Sequence, residues 1–84
     1  MSTAICFYMK NKKAEKTVLK LLNEFEKIRK HKGFSHDKLA ELSGLNRSTI
    51  SLLESKKITP TILTCLKIAG ALDIDLHELL EQVS

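Results

Sequence analysis

Apolar residues recur every three or four positions along most of the chain, and that rhythm breaks at four places. From Lys12 to His31 the stripe is Val18, Leu21, Leu22, Phe25 and Ile28, with Lys16, Lys20, Lys27 and Lys30 on the opposite side. Glu24 and Glu26 precede Lys27 and Lys30 by three and four residues, pairs that support a helix by about 0.2–0.5 kcal/mol each. A first helix is expected here, ended by Gly33, with Lys30, His31 and Lys32 beside the negative end of its dipole. Two short segments follow, His36–Leu42 and Arg47–Ser55, parted by Ser43-Gly44-Leu45-Asn46. Ser35 and Asn46 stand where a side chain can accept a bond from a free amide of each opening turn. A fourth helix starts near Pro60, capped by Thr61 (or by Thr59, with Pro60 at its first position), and ends near Leu72. Its expected buried stripe is Ile62, Cys65, Leu66, Ala69 and Leu72, with Leu63 left outside. Gly70 costs that helix about 1 kcal/mol relative to alanine unless something approaches closely. Asp75, with Glu78 three residues on, caps a last helix from Leu76 to about Gln82 that carries Leu76, Leu79, Leu80 and Val83. Residues 1–11 fit no single pattern: Ile5–Met9 suits a short strand, an arm on a partner subunit or a frayed end. We take 1–11 as a loosely ordered arm, or one that orders on dimerisation, and 12–84 as one domain.

The middle of the chain is the most specific part. Gly44 sits where two helices must turn sharply, and glycine takes a left-handed conformation without steric cost. Helices joined by so short a turn cross steeply, as in a helix-turn-helix. Leu39, Ala40, Leu42, Leu45, Ile50 and Leu53 are then expected to share one interior. Arg47, Ser48, Ser51, Leu52 and Ser55 fall on one outward strip, short-chained and led by an arginine.

Gly33–Leu80 resembles the Xre-type helix-turn-helix family, the phage Cro and cI repressor class of DNA-binding domains. The resemblance rests on Leu39-Ala40, Gly44, Arg47–Ser51 with Ile50 inside it, Glu54, Thr59-Pro60 and the stretch around Lys67–Leu72. Arg29 matches the arginine that in this family often pairs with the glutamate at Glu54. Three positions depart from the pattern: His36, where a phosphate-touching glutamine is usual, and Lys56 and Asp73, both often glycine.

The resemblance implies an all-α, five-helix, lambda-repressor-like domain with an extended first helix. It implies a homodimer that places the Arg47–Ser55 helix in the major groove of double-stranded DNA. Arg47, Ser48, Ser51 and Leu52 are then the expected base-reading residues, Arg47 by two bonds to guanine and Leu52 by contact with a thymine methyl. Ser35, His36, Asn46, Lys56 and Lys57 are expected on phosphates, and Arg29–Glu54 as a structural ion pair. Leu63, Leu76 and Leu80 are candidates for the dimer surface, the alternative being that they complete the core.

Charge agrees with a polyanion as partner. The net charge is +4, distributed unevenly. Residues 1–32 hold nine Lys/Arg and three acids, 33–58 four and three, and 59–84 one and four. A basic front suits nucleic acid, while an acidic rear suits a protein as well. Ser35-His36-Asp37 is no catalytic triad, because three consecutive residues at a helix start diverge. They read instead as a cap, an exposed base and an acid favouring the positive helix end. His31, His36 and His77 match no zinc spacing, and Cys6 and Cys65 lack a CxxC partner, so no metal or cofactor is expected. No run approaches the ~20 apolar residues of a membrane span, and no targeting signal is evident. A cytoplasmic, non-enzymatic DNA-binding regulator is the expectation. The rival is an antitoxin-like module whose main task is to bind a protein partner, with the first helix, Ile5–Met9 and Leu63 as its surface.

Overall fold

The computed structural model describes residues 3–84, with side chains from Lys12 onward. Five helices follow one another: α1 (Thr3–His31), α2 (His36–Ser43), α3 (Arg47–Glu54), α4 (Ile62–Ala71) and α5 (Leu76–Val83). The fold is all-α. The helix α1 begins at Thr3 and not at Lys12, so the backbone of the stretch read as an arm continues the first helix. The suggestion that the Ile5–Met9 side chains meet a partner falls outside the described residues.

One aliphatic core joins the five elements. Leu21, Leu22 and Phe25 of α1 meet Leu39 of α2, Ile50 and Leu53 of α3, Cys65, Ile68 and Ala69 of α4, Leu72, and Leu76, Leu79 and Val83 of α5. In the layout, α2 packs on α3 and α4, while α1 packs on α3 and α5. This arrangement holds α3 from behind and leaves its Arg47–Ser51–Leu52 side facing out.

The expected stripes need correcting in two helices. Leu42 is exposed, and the inner position goes to Ser43. Ser43 can be buried because its hydroxyl accepts from Leu45 N at 3.3 Å and donates to Ala40 O at 3.4 Å. In α4 Cys65, Ala69 and Leu72 are buried as expected, but Ile68 is buried with them in place of Ile62 and Leu66. Ile62 and Leu66 are exposed with Leu63. An almost wholly apolar helix shows no polar face from which its phase can be read.

The caps largely follow the expected chemistry. Ser35 Oγ accepts from Lys38 N at 3.0 Å, Thr61 Oγ1 from Thr64 N at 3.1 Å and Asp75 Oδ1 from His77 N at 2.9 Å. Thr61 is thus the cap of α4, not Thr59. Asn46 occupies the cap position of α3, but its side chain makes no capping bond. Gly44 closes α2 at φ 75°, its N–H donating to Ala40 O.

Among the described residues, Lys56 (φ 62°) and Asp73 (φ 58°) also adopt the left-handed conformation without being glycine. Each follows a helix end, with amides turned back on carbonyls of the last turn, Lys57 N to Leu52 O and Ile74 N to Ala69 O. A side chain there is disfavoured by about 1–2 kcal/mol. Three residues before Asp73, Gly70 sits inside a helix where a Cβ would meet nothing within 4 Å. The glycine is therefore absent where the backbone favours it and present where alanine is better. Asp73→Gly and Gly70→Ala should each raise stability by about 0.5–1 kcal/mol in urea unfolding.

Candidate nucleic-acid interface

The outward side of α3 forms a shallow cleft with the start of α2. His36, Arg47, Ser48, Ser51 and Leu52 line it, and its volume is about 460 Å³. Arg47, Ser48, Ser51 and Leu52 are all exposed, so the four expected base-reading residues share one open surface. Their hydroxyl, apolar and guanidinium groups include one long, permanently charged donor, Arg47. Its Nε lies 3.4 Å from Oδ1 of Asp37, with both side chains largely in solvent.

Behind this surface lies a buried polar clamp. Arg29, near the C-terminus of α1, is 8% exposed. Its Nε donates to Glu54 Oε2 at 2.7 Å, its Nη2 to Glu54 Oε1 at 2.9 Å and its Nη1 to Phe34 O at 2.7 Å. The pairing expected between Arg29 and Glu54 is therefore two-pronged, the strong form of an arginine–carboxylate contact. His36 adds a third bond, Nε2 to Glu54 Oε1 at 3.0 Å. This departs from the expectation of an exposed base: His36 is half-buried and turned toward the carboxylate that ends α3. Burial pushes the Glu54 carboxyl up, but hydrogen bonds and charge from Arg29 and His36 outweigh it and hold the group below its ordinary 4.5.

The expected phosphate-contacting residues divide. Asn46, Lys56 and Lys57 are exposed at the two ends of α3. Lys56 Nζ donates to Glu54 O at 3.2 Å, which places its ammonium beside the end of the helix. Ser35 is engaged as a cap and His36 by Glu54. Of the candidate dimer residues, Leu63 is exposed, Leu80 half-buried and Leu76 in the core. Leu76 is therefore a packing residue in this chain. Among the described residues, no group of three or more His, Cys, Asp or Glu is placed to hold a metal ion. No described helix is long and apolar enough to cross a membrane. Sequence reasoning missed Asp37 as a neighbour of Arg47, since a contact across a turn leaves no periodic signature. It also missed the Phe34 carbonyl, because any residue type supplies one.

Residues 25–79 match the family model described as helix-turn-helix, a span that contains the clamp, the cleft and all of α2 to α4. The chain belongs to the Xre-like helix-turn-helix family. Over 51 residues it is 41% identical to the HTH-type transcriptional regulator PuuR of Escherichia coli strain K12, covering 61% of this chain. It spans only 28% of that relative's length. It is also 30% identical over 56 residues to the uncharacterized HTH-type transcriptional regulator YgzD of Bacillus subtilis strain 168, covering 67% of this chain and 85% of YgzD. No solved structure matches the chain. In this helix-turn-helix protein, α2 and α3 are the two helices of the motif, and Gly44 is its turn.

The clamp generates a stability prediction. Glu54→Ala leaves Arg29 buried without its carboxylate and should cost about 3 kcal/mol or more in thermal or urea unfolding. The pH dependence has a definite sign, because the folded carboxyl is held below its unfolded value. Its contribution is complete above pH 4.5 and is lost as pH falls through the lower folded value. Melts taken down an acid series should show this loss in wild type, and Glu54→Gln should lack that component.

Proposed function

We propose that this protein is a sequence-specific transcription regulator that binds duplex DNA as a homodimer and represses or controls a promoter. The observation that carries the reading is the placement of Arg47, Ser48, Ser51 and Leu52 on one open face of α3, held from behind by the core and the Arg29–Glu54 clamp. The names of PuuR and YgzD as transcriptional regulators support the same reading. In this mode α3 enters the major groove N-terminus first, so Arg47 comes nearest the base edges. Its planar fork matches guanine O6 and N7, and Leu52 suits a thymine methyl. The free amides of α2's first turn face the backbone with the positive end of a helix dipole. Lys56, Lys57 and Asn46 hold neighbouring phosphates, which gives affinity without sequence information. No step of this function is chemical, and the protein is not an enzyme.

A homodimer is proposed because one such motif grips few base pairs, whereas two related by a twofold axis reach half-sites one helical turn (~34 Å) apart. The exposed apolar residues Ile62, Leu63 and Leu66 on α4 offer a surface that a second subunit can cover. The site selected by the protein from a randomised duplex pool should accordingly be an inverted repeat.

Arg47→Ala should weaken binding to that site by about 1–3 kcal/mol and flatten the preference for guanine at one position in each half-site. Arg47→Lys should restore only part, since an ammonium lacks the planar fork. The check is a series of dissociation constants over single-base variants of the selected duplex. If wild type and Arg47→Ala rank all variants alike and differ by one constant factor, Arg47 touches phosphate and not base.

Replacing Lys56 and Lys57 together by Ala should shallow the log–log dependence of binding on salt by about 1–2 units and leave base ranking unchanged. An unaltered slope removes both lysines from the phosphate footprint.

A further inference from the structure

Arg47 does not stand alone on its surface. Asp37, in the first turn of α2, lies beside it, with Oδ1 3.4 Å from Nε, although the two side chains are 73% and 68% exposed. Two flexible side chains in solvent gain little from pairing as such. The pair matters for what it does to the orientation and field of the arginine. We propose that Asp37 positions Arg47 for base reading and lowers its affinity for phosphate, so that it sets specificity without touching a base. This rests on α3 being the DNA-reading helix.

The geometry of the guanidinium supports this. Its five N–H groups lie in one plane, one on Nε and two on each terminal nitrogen. A carboxylate nearest Nε leaves the two terminal nitrogens clear of that contact. An end-on fork of those two nitrogens is the arrangement that fits O6 and N7 on one edge of guanine. The carboxylate 3.4 Å from Nε crowds the competing side-on grip on a phosphate, through Nε and one terminal nitrogen, without a hydrogen bond to Nε.

Charge acts in the same direction. A carboxylate beside Arg47 offsets part of its field, and a full phosphate charge feels that loss more than the partial charges of a base edge. Asp37 also stands at the start of α2, where the duplex backbone approaches, and repels it. The acid therefore costs general affinity and favours the one contact that depends on the base. A merely structural role, favouring the positive end of α2, predicts a small change in stability and none in base ranking.

The experiment compares wild type, Asp37→Ala, Asp37→Asn and Arg47→Ala on the duplex that wild type selects from a randomised pool. Each protein is measured on all single-base variants of that duplex and on one unrelated duplex, at low and at physiological salt. Asp37→Ala should reduce the guanine preference at the Arg47 position by about fivefold, the upper end of what an exposed charge pair contributes. It should tighten the unrelated duplex by about threefold at low salt and less at physiological salt. Asp37→Asn keeps an oxygen facing Nε, so it should recover part of the guanine preference while retaining the tighter general binding. Thermal melts of both variants should stay close to wild type, because Asp37 is exposed. If Asp37→Ala ranks every base variant as wild type does, the proposal fails, even where general binding tightens. If Arg47→Ala flattens the guanine preference and Asp37→Ala does not, the role of Asp37 alone is overturned. If wild type selects no sequence at all, the base-reading function falls and this proposal with it.

Discussion

The structure depends on a guanidinium that has no water to fall back on. Arg29 is enclosed near the end of α1, and its charge is met by two oxygens of Glu54 and the carbonyl of Phe34. A buried ion pair adds little net stability against an apolar replacement, but it is unforgiving of displacement. Glu54 is the last residue of α3, Phe34 lies in the turn after α1, and His36 opens α2. Three elements are thereby tied to one carboxylate. The aliphatic core can tolerate small slides between helices, since dispersion has no direction. The clamp cannot, since each of its bonds has both a length and an angle. It fixes where α3 lies along α1, and so where Arg47 sits, about two turns away at the other end of α3.

That arrangement also gives an eight-residue helix the fixed position that the proposed reading role requires. A helix this short is unstable alone in water and borrows its order from tertiary contacts. Ile50 and Leu53 anchor it in the core, and Glu54 ties its end to Arg29. The N-terminal turn is left without a side-chain cap, since Asn46 makes no such bond. Its amides and the Asn46 amide group are therefore available to an outside acceptor, and on the proposed reading that acceptor is a phosphate.

The sequence made much of this visible, for reasons that differ from element to element. The starts of α2 and α5 follow from the polar caps Ser35 and Asp75, and the break between α2 and α3 from Gly44, features that act locally. Arg29–Glu54 was legible only through the family resemblance, because 25 residues separate the partners and no periodicity links them. Whether Leu76 packs in the core was left open, and Ile62 and Leu66 were placed inside in place of Ile68, because apolar residues cover most of α4. His36 looked like a free surface base since its partner, Glu54, comes from another helix. The backward reach of α1 to Thr3 was obscured by an apolar run that suits strand as well as helix.

Lys56 gives the last step. Its backbone is left-handed at φ 62°, as is that of Asp73 at φ 58°, and at both positions glycine would remove the strain. Their surroundings differ in charge: Lys56 and Lys57 follow α3, whereas Asp73 lies in the acidic segment at the rear. At Asp73 the strain accompanies a side chain for which the structure shows no use. At Lys56 the same strain holds an ammonium at the end of α3, bonded to the Glu54 carbonyl. A glycine there would stabilise the turn and delete a charge from the side where, on the proposed reading, the duplex backbone runs. The left-handed conformation is therefore a stability cost at both sites; on the proposed reading, Lys56 sets against it a long-range attraction for a polyanion.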